Sequence, residues 1–83
     1  MEKQNLKRLS AVLEGKRSAV RQLQGGHDFL NRVSALGFTI GVEVVVIQNR
    51  GRGPLIAMVR DTRVALGRGE AMKVLVEELD DDQ

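Results

Sequence analysis

The sequence predicts a small, mainly β domain: an antiparallel barrel of about five strands with one short α-helix inserted after the first strand. Three observations carry this. Short runs of β-branched and aliphatic residues, such as "VVVI" at 44–47 and "LIAMV" at 55–59, are separated at close intervals by turn residues. A single segment, "HDFLNRVSALG" at 27–37, carries a clear helical stripe of apolar residues at three- and four-residue spacing. At 83 residues the chain fits one domain with a small core, since a chain near this length buries only roughly 60–65% of the surface its unfolded form exposes.

In chain order, residues 1–8 are read as an N-terminal extension. Leu6, Leu9 and Leu13 suit either an amphipathic turn or the lead-in to a first strand. Ser18–Leu23 reads as a short strand centred on Ala19 and Val20 and closed by Gly25-Gly26. Asp28 is the expected N-cap of the helix, whose apolar stripe is Phe29, Leu30, Val33 and Leu36. Gly37 stands where helices end in the left-handed conformation, with Phe38 placed to pack back on Val33.

Thr39-Ile40-Gly41 is then a turn, and "VEVVVIQ" at 42–48 a strand. "NRGRGP" at 49–54 is a loop, with Pro54 where no ladder donor is needed. Residues 55–59 and 62–66 form strands around a tight Arg60-Asp61 turn. "GRGEA" at 67–71 is a connection with room for one helical turn, and 73–79 is the last strand. Residues 78–83 are read as a solvated acidic tail.

Composition removes several function classes. With no cysteine there is neither a disulfide framework nor a thiolate metal site, which points to the reducing cytoplasm. No apolar run approaches the ~18–20 residues of a membrane span, and the first ten residues lack the pattern of a signal peptide. A net charge of +2 and only two aromatics, Phe29 and Phe38, argue against a nucleic-acid partner. One histidine, His27, cannot supply a two-histidine ferrous site or a catalytic triad. "GKRS" at 15–18 lacks the first glycine of a phosphate loop, which would fall at Ser10. The arginine turns "RGRG" at 50–53 and "RDTR" at 60–63 are read as solvated before they are read as phosphate contacts. The expectation is a non-enzyme with no cofactor, no metal ligands and no catalytic residues.

The surface is more informative. By the period-two rule Val44, Val46, Leu55, Ala57, Val59, Val64, Leu66, Val74 and Val76 face the interior, while Val45, Ile47, Ile56, Met58 and Leu75 face outward. Either the helix and the N-terminal segment cover those outward residues, or some of them form a docking patch. The candidate partner-binding residues are Val45, Ile47, Ile56 and Met58, with Arg60 and Arg63 from the adjacent turn.

The ordered set "VRQLQGG" (20–26), "RVSALGFTIG" (32–41), "VVV" (44–46), "GPL" (53–55), "VAL" (64–66) and "AMKVLV" (71–76) resembles the FeoA family of bacterial ferrous-iron uptake. That family's domain is similar to the SH3-like domain of DtxR-type metal regulators. The resemblance covers roughly residues 9–77 and places Leu36, Gly37, Phe38, Gly41, Gly53 and Pro54 in a fold-determining motif. It implies an SH3-like barrel in the cytoplasm that serves a FeoB-type membrane transporter by contacting its GTPase-containing cytosolic region. The membrane is then reached only through that partner, and self-association is open. The competing expectation is a stand-alone SH3-like regulatory module, metal-regulator-like or nucleic-acid-associated.

Overall fold

A computed structural model describes residues 5–79. Its elements are β1 (Leu6–Arg8), a 3-10 turn (Leu9–Ala11), β2 (Arg17–Leu23), α1 (His27–Ala35), β3 (Glu43–Gln48), β4 (Leu55–Val59), β5 (Thr62–Leu66), α2 (Arg68–Ala71) and β6 (Val74–Glu78). The six strands form one sheet in the order β1-β6-β2-β3-β4-β5, every neighbouring pair antiparallel. The mainly β class and the helix between two early strands are as the sequence predicts.

One strand is additional. Residues 6–8, read from sequence as part of the extension, pair with β6 through Leu6↔Glu77, Lys7↔Val76 and Arg8↔Leu75. All three are exposed, so backbone pairing rather than apolar burial makes this strand and no alternation marks it. Leu9 and Val12 are buried, whereas Leu13 is 67% exposed. The acidic end also begins later than expected. Arg21 Nε lies 2.8 Å from a Glu77 carboxylate oxygen, and Lys7 Nζ lies 3.3 Å from Glu78. These cross-strand partners hold both glutamates on the sheet. Asp80–Gln83, the rest of the expected tail, lies outside the described residues, as do residues 1–4 of the extension.

The inward set is as the alternation requires: all nine residues assigned to the interior are buried, and they join Leu9, Val12, Val20, Val33, Phe38 and Ala71 in one core. The outward set divides. Val45, Ile56, Met58 and Leu75 are half-buried, while Ile47 is 38% exposed. Ile47 is singled out because the β3–β4 register jumps from Val46↔Ala57 to Gln48↔Ile56, which leaves it as the extra residue of a bulge.

The helix starts two residues earlier than an Asp28 cap would allow. Gly26 is the N-cap, without a side-chain hydrogen bond, and the Leu30 N–H donates to the Gly26 carbonyl at 2.9 Å. Asp28 instead lies in the first turn, where a carboxylate favours the helix dipole. His27, the first helical residue, is exposed. At the other end the Gly37 N–H donates to Ser34 O at 3.0 Å and the Phe38 N–H to Val33 O at 2.9 Å. With Gly37 at φ +105° this is a Schellman ending, and Phe38 and Val33 are both fully buried in the same core. The helix thus stops on its own terminator. Gly41, at φ +92°, donates its N–H to Val20 O at 2.6 Å, and β3 follows at Glu43.

The β4–β5 hairpin turns on two residues, Arg60 (φ +51°) and Asp61 (φ +66°), which are the non-glycine residues with positive φ among those described. Both central residues in this region define a type I′ turn, a geometry that favours glycine or asparagine. Asp61→Gly is therefore expected to raise stability by about 0.5–1 kcal/mol in a denaturant melt, since glycine takes this conformation without strain.

Candidate functional site

Two surfaces converge on the β4–β5 hairpin. The first is a sheet face on which cross-strand pairing sets side chains in rows: Arg17, Val45, Met58 and Arg63 lie opposite one another across β2, β3, β4 and β5, and Ile56 lies opposite Ala65. This places Val45, Met58 and Arg63 side by side, with Ile56 next to them. Ile47 stands apart at the bulge.

The second surface is a groove of about 440 Å³ between the end of α1 and β5. One wall is Ala35, Leu36 and Gly37; the other is Val59, Arg60 and Thr62–Ala65. Leu36, which belongs to the helical stripe, is 37% exposed and forms the groove's apolar rim. Gly37 lets the two walls meet, because a Cβ there would come within 3.1 Å of Val59 Cγ1 and 3.7 Å of Arg60 Cδ. The Arg60 guanidinium donates to Thr39 Oγ1 at 3.3 Å, so the hairpin turn is tethered to the segment that follows the helix.

Charge is distributed unevenly around this site. Arg17 pairs with Glu43 at 3.2 Å and Arg32 with Glu70 at 2.8 Å. Neither Arg60 nor Arg63 has a carboxylate partner among the described residues. The sequence-predicted candidates Arg60 and Arg63 therefore share one groove, Arg63 also borders the apolar row, and Val45, Ile56 and Met58 complete that row.

At the ends of β3 and β5 that lie away from the hairpin turn is a polar hub. The Asn49 side-chain amide donates to Ser10 O at 2.9 Å and Val12 O at 2.8 Å, while its oxygen accepts from Arg68 at 2.8 Å. Arg68 also donates to Ser10 O at 3.2 Å, and the Asn49 N–H donates to Glu14 at 2.7 Å. This network ties the 49–54 loop and α2 to the segment before β2. Its members are scattered in sequence, and no local motif marks them.

None of these surfaces carries a reactive constellation. Among the described residues no three His, Cys, Asp or Glu side chains are grouped to hold a metal ion, and no helix is long and apolar enough to cross a membrane. What the geometry offers is an apolar row on the sheet beside an open groove, with Arg60 and Arg63 at its border.

Comparison with known proteins agrees with this architecture. The FeoA domain model matches residues 7–78. A Methanocaldococcus jannaschii protein named as an Fe(2+) transport protein A is 34% identical over 70 residues, which cover 84% of each chain. The crystal structure of an iron uptake regulatory protein, FeoA, superposes with a TM-score of 0.87 at 31% identity, covering 90% of this chain and 100% of that one. A zinc complex of Stenotrophomonas maltophilia FeoA, described as a procaryotic SH3 domain protein, superposes with a TM-score of 0.75 at 32% identity, covering 84% and 88%. Built as an SH3-like barrel and matched by the domain model over nearly all of its length, the chain belongs to the FeoA family of ferrous iron transport proteins.

Proposed function

We propose that this chain is a non-catalytic accessory module that works in the cytoplasm by docking on the GTPase-containing cytosolic region of a FeoB-type ferrous-iron transporter. The observation that carries this reading is the hairpin site, where two arginines without carboxylate partners adjoin an apolar row and a groove. Burying half-exposed aliphatic side chains against a partner removes them from water, and flanking arginines orient the encounter with an acidic surface.

Calorimetric titration against the transporter's soluble cytosolic region, with and without a GTP analogue, tests it. Arg60→Glu combined with Arg63→Glu is expected to weaken binding about tenfold or more, equivalent to about 1.4 kcal/mol. Both positions are exposed, and surface changes of this kind shift stability by about 0.5 kcal/mol, so the melting temperature should stay near the parent's. Unchanged affinity in a folded double variant rules out this site.

A further inference from the structure

We propose that the free edge of β5 is a strand-addition site for an extended partner segment in which acidic and apolar residues alternate. The proposal rests on the docking reading above and supplies its mode.

Val59↔Thr62 closes a two-residue loop, and in such a hairpin the closing pair exchanges both hydrogen bonds. The bonded positions of β5 are then Thr62, Val64 and Leu66. The N–H and C=O groups of Arg63 and Ala65 point away from β4. β5 is the last strand of the sheet, with β4 its one neighbour, and no turn, loop or side-chain hydrogen bond among the described residues reaches those four groups. Arg63 and Ala65 both line the groove, whose other wall is Ala35, Leu36 and Gly37. An unpaired pair of donors and acceptors beside an open groove is the geometry of β-augmentation, in which main-chain bonds supply affinity and alternate side chains supply specificity.

Charge selects the occupant. A second copy laid antiparallel along this edge would set the Arg63 side chains of the two chains as diagonal neighbours on one face, within reach of each other, and their like charges disfavour it. An added strand with Glu or Asp on the side of Arg63 is favoured instead. Its alternate side chains turn the other way, toward Leu36 at the apolar rim, which calls for aliphatic residues. Arg60, held against Thr39, marks one end of the track.

The test is a nuclear magnetic resonance titration of the full chain, labelled with nitrogen-15. The probes are an end-capped seven-residue peptide alternating Glu and Val, its Lys and Val counterpart, and the transporter's soluble cytosolic region. The Glu–Val peptide is expected to shift the Arg63 and Ala65 amides and to slow their hydrogen exchange about tenfold or more at saturation, because ladder bonding protects amides; the Lys–Val peptide should do neither. If the Glu–Val peptide leaves both amides unmoved at millimolar concentration, strand addition is wrong. Concentration-dependent shifts of the same amides in the protein alone would give the edge to a second copy and equally overturn the proposal. A transporter region that binds without protecting these amides removes strand addition and leaves docking intact. Protection by the peptide with no binding of the transporter region keeps the edge site and removes that partner.

Discussion

Gly37→Val is expected to melt on the order of 10 °C below the parent chain. A β-branched residue at φ +105° costs about 1–3 kcal/mol, and each kcal/mol moves the melting temperature of a domain this size by about 4–8 °C. Steric crowding adds to the backbone cost, since the new Cβ would sit 3.1 Å from the buried Val59 side chain. The substitution strikes the point where helix, core and groove wall meet, so partner binding should fall with stability. Gly41→Ala is the instructive comparison. Gly41 has φ +92° but open space around its Cβ position, so its cost should be backbone strain alone and its melt should lie between those of the parent and Gly37→Val.

Asn49→Asp is expected to destabilise by about 2 kcal/mol in a denaturant melt. The carboxylate keeps the Arg68 contact but has no N–H for Ser10 O and Val12 O, which now lie 2.9 and 2.8 Å from the amide nitrogen. Two partly buried carbonyls lose their donor and face a negative oxygen, and leaving such groups unsatisfied costs about 1–3 kcal/mol. Glu14, which accepts from the Asn49 backbone N–H at 2.7 Å, already places one carboxylate at this residue, and the substitution adds a second. If Asn49→Asp melts with the parent, the hub does not hold the 49–54 loop and α2 to the segment before β2, and water serves its members equally well.

The core was legible because β-branched alternation in β3, β4, β5 and β6 leaves one register that hides every second residue, and shifting it by one would expose the whole set. The Leu-Gly-Phe corner was legible for a local reason: a left-handed ending needs glycine, and the residue after it is placed to pack backward. Other features depend on contacts between distant residues. β1 forms because β6 offers an edge to it, and its three exposed residues carry no apolar signal. The hub joins Asn49 to residues 39 and 19 positions away, at Ser10 and Arg68, and no sequence window contains it.

The candidate site lies between these cases. Strand parity points to Val45, Ile56 and Met58 as outward residues, and proximity to the turn points to Arg60 and Arg63. The groove has no signal in the sequence, because Leu36 reads as one more residue of a core-facing stripe and is 37% exposed once the helix ends beside β5. The availability of the Arg63 and Ala65 backbone follows only from knowing that β5 ends the sheet.

On the proposed function, ferrous-iron transport depends on the hairpin surface of this chain, which its fold does not require. The most direct measurement is the rate of ferrous-iron uptake by cells carrying the transporter together with either the parent chain or Arg60→Glu/Arg63→Glu, at matched protein levels and with the variant's melt recorded in parallel. The double variant is expected to fold like the parent while uptake shifts to the rate seen in cells lacking the chain. Uptake identical to the parent's, with the folded variant present at full level, would contradict it.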